Sequence, residues 1–317
     1  MRVSFVGGGT DLPCYYTLQP GAVISTTIKK YVFITINRRF DDTLRISYSQ
    51  TENVDALEDV SHPLFRESLR YCGLRTGVEL TSVADVPSGT GLGSSSCFTV
   101  GLVHALEAFQ GRYHTAHELA EAACHLEMNV LSEPIGKQDQ YAAAFGGLRR
   151  YQFNPDDTVY EEPIICSSHA RTALFDRVMF LYLGGCRNAR EVLTEQSNGG
   201  AQKLDLLRRI AGITDEFWSI LTHGEHIDDL GELLDEAWAC KKRLAGNISN
   251  PRIDDYYSRA KAAGATGGKV LGAGMGGFLM LFCHPSRHDE VRDALRDLRP
   301  MQFCFEPEGS KIVYYGV

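Results

Sequence analysis

Hydrophobic positions along the chain follow two rhythms, one suited to strands and one to helices. Val3–Val6 is a short apolar stretch that stops at three glycines, Gly7-Gly8-Gly9. In Tyr31–Arg38, Val32, Ile34 and Ile36 alternate with Phe33, Thr35 and Asn37. Both faces hold β-formers, which predicts a strand in a covered sheet. Further strands are predicted at Leu44–Tyr48 and at Gly77–Ala84, the latter ending at the loop Asp85–Gly93. Helical spacing then takes over. Phe98, Leu102, Val103, Leu106 and Phe109 share one face and predict a helix over Ser94–Phe109. Thr115-Ala116-His117-Glu118 reads as a capping box, and Leu119, Ala123, Leu126 and Val130 carry a second helix from it. A short third helix over Gln138–Phe145 ends at Gly146-Gly147, where glycine accepts the left-handed C-terminal position.

The polar turn Asn154-Pro155-Asp156-Asp157 marks the expected boundary between two halves, residues 1–155 and 156–317. Beyond it, Arg177–Leu183 is predicted as a buried strand, and long helices run through Gln202–Leu221, Ile227–Leu244 and Asp254–Ala263. The end alternates strand, helix, strand, at Gly277–Cys283, His288–Leu298, Gln302–Glu306 and Ile312–Tyr315. Mixed strands and helices in two halves make an α+β pattern.

Composition narrows the function. With 317 residues, 44% hydrophobic and 23% charged, the chain is an ordinary globular protein with room for two domains at about 150 residues each. Its net charge of −8 disfavours a nucleic-acid-binding surface but leaves room for a local basic pocket around a small anion. The longest apolar runs, Val178–Leu183 and Phe278–Cys283, fall far short of the roughly 20 residues that span a bilayer, so no membrane association is expected. No basic-then-apolar leader opens the chain, which predicts a cytoplasmic location. Nine scattered cysteines without a CxxC pair give no disulfide framework or zinc site, and no HxxxH or HExxH pair assigns a metal to histidine.

Three glycine-rich segments stand out: Gly7-Gly8-Gly9-Thr10-Asp11, Ser88-Gly89-Thr90-Gly91-Leu92-Gly93-Ser94-Ser95-Ser96, and Gly272-Ala273-Gly274-Met275-Gly276-Gly277. Glycine lets backbone approach a ligand closely and turn its N–H groups inward around an anion. The second segment runs from a predicted strand into a helix N-terminus, where free N–H groups and the helix dipole favour phosphate. It is neither a Walker A loop nor a dinucleotide fingerprint. The serines lack the GxSxG surroundings of a hydrolase nucleophile. Two carboxylates draw notice. Glu127 sits beside the apolar face of its helix, either solvated at the edge or buried with a cation. Asp139, in the first turn of the short helix, either answers the helix dipole or serves as a base toward a hydroxyl, with Lys137 nearby to hold it ionised. Arg187 and Arg190 follow the buried strand, at positions that suit phosphate recognition or an ordinary surface.

Pro87-Ser88-Gly89-Thr90-Gly91-Leu92-Gly93-Ser94-Ser95-Ser96 resembles the nucleotide-binding signature of the GHMP small-molecule kinases, and Gly272–Gly277 resembles their third motif. Arg2–Pro13, Gly136–Tyr141, Ile248–Pro251 and Phe305–Ser310 resemble the branch that phosphorylates D-glycero-D-manno-heptose 7-phosphate. The resemblance implies a ribosomal-protein-S5-like N-terminal domain, a ferredoxin-like C-terminal domain and an active site in the cleft between them. It implies ATP and Mg2+, with Pro87–Ser96 around the nucleotide, and Ser95, or a neighbour in its triplet, and Glu127 on the metal. Asp139 would be the base, with Lys137 holding its charge or neutralising the moving phosphoryl group. Arg2, Gly8, Gly9, Thr10, Asp11 and Arg187 would surround the phosphosugar, and Gly274 and Gly276 would close over it. Two departures are visible. Only Met1 precedes Arg2, where such kinases carry more of a first strand, so the start is placed late or that strand is short. Met275 replaces a glycine, either crowding the phosphates or pointing away from them.

The function so implied is transfer of phosphate from ATP to the anomeric hydroxyl of the heptose phosphate, on the route to nucleotide-activated heptose for surface polysaccharide. The alternatives are a GHMP kinase for another sugar, such as galactose or fucose, and a sensor that binds sugar and ATP without catalysis. Retention of Asp139, Glu127 and the serine triplet argues against the sensor. A homodimer is left open.

Overall fold

The computed structural model describes residues 1–185, 189–197 and 200–316, whose strands form three sheets. β1 (Arg2–Val6) and β2 (Gly21–Ile28) open the first sheet as an antiparallel pair. β3 (Val32–Arg38), β4 (Leu44–Ser47), β5 (Thr51–Val54) and β6 (Val78–Ala84) make the second, in the order β3-β6-β4-β5. β7 (Leu148–Phe153) and β8 (Val159–Pro163) return to the first, beside β2. β9 (Val178–Gly184), β10 (Ala265–Val270), β11 (Gly277–Cys283) and β12 (Arg299–Met301) form the third, antiparallel throughout, in the order β10-β11-β9-β12. β13 (Phe305–Glu306) then comes back to pair with the end of β2. The turn at Asn154–Asp157 therefore joins β7 to β8 inside the first sheet, which runs past residue 155.

β2 has no counterpart among the predicted strands, and its burial explains why. All eight of its residues are buried, with Val23 in one apolar cluster and Ile24 and Ile28 in another. A strand covered on both faces shows no alternation to read. The cluster holding Ile24 also contains Phe5 of β1, Phe217 and Leu221 of the long helix Ala201–His223, and Phe278 and Met280 of β11. This shared core fastens the first and third sheets together and fixes the seam in which the glycine segments meet.

β3 corrects an expectation in the other direction. It lies at the edge of its sheet, and Phe33 is about half exposed, so only the Val32–Ile34–Ile36 face is covered. Ile312–Tyr315 forms no strand: its β-prone side chains remain exposed and pair with no other strand. The helices Ser94–Phe109 and Gln138–Phe145 form over the predicted spans. The capping box at Thr115 is also present, with the Thr115 Oγ1 accepting from the Glu118 N–H at 3.2 Å and the Glu118 carboxylate accepting from the Thr115 N–H at 2.7 Å. That helix does not continue regularly. After Cys124 it widens into a π-helical turn, His125–Val130, and this turn carries Glu127. Such widened turns re-aim side chains, and here the carboxylate is placed in the interior.

Candidate functional site

The three glycine segments converge on one cavity of about 270 Å³. The first leaves β1, the second enters the Ser94–Phe109 helix, and the third connects β10 to β11. Backbone lies directly on backbone here. A Cβ at Gly91 would meet the Leu271 carbonyl at 2.4 Å, and one at Gly136 would meet the Asp11 carboxylate at 2.0 Å, so only glycine fits at either position. A larger groove of about 800 Å³ runs along β3, the Ser94–Phe109 helix and the C-terminal segment, but none of the glycine segments reaches it.

Asp139 lines the cavity from the first turn of its helix. Its partner is Arg2 of β1, whose Nε and a terminal nitrogen donate to both carboxylate oxygens at 2.6 Å, while the other terminal nitrogen donates to the Gly91 carbonyl at 2.7 Å. This two-pronged pair fixes the carboxylate plane. Arg2 is 4% exposed and Asp139 23%, so the arginine is the buried half and the aspartate faces the cavity. Lys137 does not take that place. Its Nζ donates to the Asp157 carboxylate at 2.6 Å and to the Asp157 carbonyl at 3.0 Å, and it lies 5.2 Å from the centre of the Tyr16 ring. Lys137 stands just before the helix and Asp139 in its first turn, and residues two apart at such a turn do not face each other, which sends Lys137 away from Asp139. Lys137→Met is therefore expected to leave turnover within about threefold of wild type. The lost ion pair and ring contact should cost about 1 kcal/mol. Paired steady-state and thermal-melting measurements check both, and a turnover loss of about a hundredfold would restore the catalytic role for Lys137.

Asp11 is also buried, accepting from the Gly9 N–H at 2.9 Å and the Gln138 side-chain amide at 2.9 Å. Burial pushes its pKa up, and the nearby Asp139 carboxylate adds to the rise. Gly8 and Gly9 border the cavity beside it. Thr10 does not: its hydroxyl donates to the Gly7 and Ala22 carbonyls and holds the loop.

Across the cavity, Glu127 is 2% exposed. One oxygen accepts from the Ser95 and Thr99 hydroxyls at 3.3 and 2.9 Å, and the other from the Gln140 amide at 2.5 Å. Burial pushes its pKa up, and among the described residues no cation pairs with it. Of the segment Pro87–Ser96, Gly89, Gly91, Gly93, Ser94, Ser95 and Ser96 line the cavity. Leu92 belongs to the shared core, and the Thr90 hydroxyl turns back to the Pro87 carbonyl. Pro87 and Ser88 do not border the cavity. Gly274 and Gly276 border it from the third segment, while the Met275 sulfur sits 3.8 Å from the Asn250 side-chain nitrogen and points away. Arg187 lies outside the described residues. Two lining lysines, Lys241 and Lys269, were not singled out by sequence. One occupies the last turn of a helix, where a cation answers the dipole, and the other sits in a buried strand, so neither carried a signal.

Residues 59–147 match the family described as GHMP kinases N terminal domain, and residues 219–299 match GHMP kinases C terminal. The chain is similar to the D-glycero-alpha-D-manno-heptose 7-phosphate kinase of Campylobacter jejuni, at 28% identity over 98% of this chain and 96% of that protein. A solved C. jejuni structure, provisionally described as a sugar kinase, superposes with a TM-score of 0.77 at 26% identity, covering 98% of this chain and 94% of that one. A D-glycero-D-manno-heptose 1-phosphate kinase from Bacteroides thetaiotaomicron shares the fold, with a TM-score of 0.79 at 24% identity over 99% and 98% of the two chains. The two-domain α+β architecture is consistent with the S5-like and ferredoxin-like halves of these enzymes.

Proposed function

The chain belongs to the GHMP kinases and is an ATP-dependent small-molecule kinase, and we propose that its acceptor is D-glycero-D-manno-heptose 7-phosphate, phosphorylated at the anomeric hydroxyl to the 1,7-bisphosphate. The observation that carries the chemistry is the placement of Asp139, clamped by Arg2 and facing the cavity where the glycine segments meet. The choice of acceptor is supported by the full-length similarity to the C. jejuni heptose 7-phosphate kinase.

In this reading the backbone of Gly89–Ser96 and the helix N-terminus behind it cradle the phosphates of ATP, which supplies the phosphoryl group. The donor set also suits Mg2+, which takes few protein ligands and completes its shell with phosphate oxygens and water. Glu127 is a buried carboxylate surrounded by donors and, among the described residues, without a cation partner, next to the Ser95 hydroxyl. Ser95 and Glu127 would hold the ion, and its charge would offset that of the phosphates. Asp139 accepts the proton of the acceptor hydroxyl at a carboxylate oxygen. Arg2 keeps both oxygens oriented and balances the charge. Asp11 takes a sugar hydroxyl, and Gly8 and Gly9 let the sugar approach the backbone. Phosphoryl transfer asks for positioning and charge neutralisation, which these groups provide.

The test is ADP release with Mg-ATP against heptose 7-phosphate, heptose 1-phosphate, mannose 6-phosphate, free heptose, galactose and fucose. Heptose 7-phosphate is expected to be the best acceptor, with free heptose turned over more slowly and the other sugars not measurably. Equal or better turnover with galactose or fucose would move the acceptor to a neutral sugar, and preference for the 1-phosphate would move the reacting hydroxyl.

A further inference from the structure

We propose that Lys241 and Lys269, with the Ser4 hydroxyl, form a buried anion subsite that takes a phosphate group. The proposal rests on the kinase reading, but not on which sugar is the acceptor. Lys241 and Lys269 are 9% and 6% exposed, come from different elements, and line the same cavity. Among the described residues each ammonium has one hydrogen-bond partner, a backbone carbonyl: Gly272 at 2.9 Å for Lys241 and Phe5 at 3.2 Å for Lys269. Among the described residues no carboxylate oxygen lies within 4.0 Å of either nitrogen. The nearby carboxylates are already engaged, Asp139 by Arg2 and Asp11 by Gly9 and Gln138. Ser4 adds an independent sign: its hydroxyl is buried on β1, lines the same cavity and has no hydrogen-bond partner among the described residues.

Isolated buried ammonium groups are costly, and two that repel each other are costlier still. Burial and the mutual repulsion with Lys241 hold the Lys269 pKa well below the ordinary lysine value. The cost is recovered when a ligand brings negative charge, and a phosphate dianion matches two ammonium groups and a hydroxyl donor. The position is also suited to it. Lys241 spans the first and third glycine segments, because its nitrogen would lie 3.6 Å from a Cβ at Gly8 while it donates to Gly272. Two phosphates can reach this place: the one an acceptor already carries, and the one being transferred.

The experiment compares wild type with Lys241→Met and Lys269→Met, using heptose 7-phosphate and dephosphorylated heptose as acceptors. If the acceptor's own phosphate occupies the subsite, KM for the phosphosugar rises about tenfold or more while free heptose is unaffected, as expected for a lost charged hydrogen bond. If the transferring phosphoryl group occupies it, kcat falls by a similar factor with both acceptors and KM holds. Folded variants that keep kcat and KM for both acceptors within about twofold overturn the subsite.

A second measurement needs no variant. Burial brings the Lys241 pKa down to about 8, with Arg2 pushing it lower and Asp11 and Asp139 pulling it back. At pH 8.5 a phosphate monoester is already dianionic, so an anion arriving at Lys241 draws a proton from the buffer. Calorimetry of phosphosugar binding, and of inorganic phosphate as the bare anion, in buffers of different ionisation enthalpy should show that uptake. Binding without proton uptake overturns the subsite. If heptose 7-phosphate is no substrate but another acceptor is, the acceptor reading alone fails, and the same comparison is run on that acceptor.

Discussion

Asp139→Asn is expected to lower turnover by about 10³-fold, within the range seen when a positioned general base is removed. ATP should still bind with near wild-type affinity, because the Gly89–Ser96 segment is untouched. Asparagine cannot take the proton, and its amide presents a donor where the Arg2 fork needs a second acceptor. The variant should also be less stable. Losing one partner of a buried pair costs about 3–5 kcal/mol, and less here because Asp139 is partly exposed and the Gly91 carbonyl still accepts from Arg2. Turnover is therefore measured per folded molecule, at a temperature where melting curves show both proteins native. Asp139→Glu separates charge from placement: it keeps the carboxylate but moves it, and a misplacement near 1 Å is worth about a hundredfold. An Asp139→Asn enzyme retaining more than about a tenth of wild-type turnover would remove the base from this site.

The sequence carried this site unevenly, for reasons that lie in the chain. The two carboxylates were legible because each sits at a helical position where its type needs explaining. The partner of Asp139 was not. Arg2 and Asp139 are 137 residues apart, and only the packing of β1 against the helix start brings them together. Lys137, the neighbour in sequence, looked like the cation, but helical geometry sends it to Asp157 and Tyr16. The glycine segments were legible as ligand-binding backbone. That they press on one another, Gly91 against Leu271, depends on the core shared by the first and third sheets.

Elements divide along the same line. Ser94–Phe109 and Gln138–Phe145 have glycine at their edges: Gly93 just before the first helix and Gly146 just after the second, both at positive φ, so local chemistry marks their ends. β2 has Pro20-Gly21 at its start, but its two buried faces erase the alternation that would show a strand beyond it. Ile312–Tyr315 shows the reverse failure. Its β-formers promise a strand, but strand propensity is realised only against a partner, and these residues have none in the sheets.

Glu127→Gln should separate function from stability. As a metal ligand, Glu127 is expected to support turnover that falls by about 10²-fold or more on substitution, comparable to losing one charge-stabilising group elsewhere. The apparent requirement for Mg2+ should weaken with it. Without ligand, the variant should melt at or above the wild-type temperature. The carboxylate is buried with no cation partner among the described residues, and burial raises its pKa, so its ionised form opposes folding at neutral pH. Glutamine removes that charge and can still accept from Ser95 and Thr99. Gln140, whose side-chain oxygen has no partner among the described residues, can turn over and accept from the new amide. The sign with pH follows from the raised pKa. The penalty in wild type is full above the folded pKa and is lost as pH falls through it, so the gap between variant and wild type should narrow toward acid. Mg-ATP should reverse the order, since it stabilises the protein that binds it more tightly. Melting curves at pH 8 and pH 5, with and without Mg-ATP, decide it. A variant that melts lower throughout, with unchanged Mg2+ dependence, would make Glu127 a structural acceptor for Ser95, Thr99 and Gln140 and leave the metal without its carboxylate.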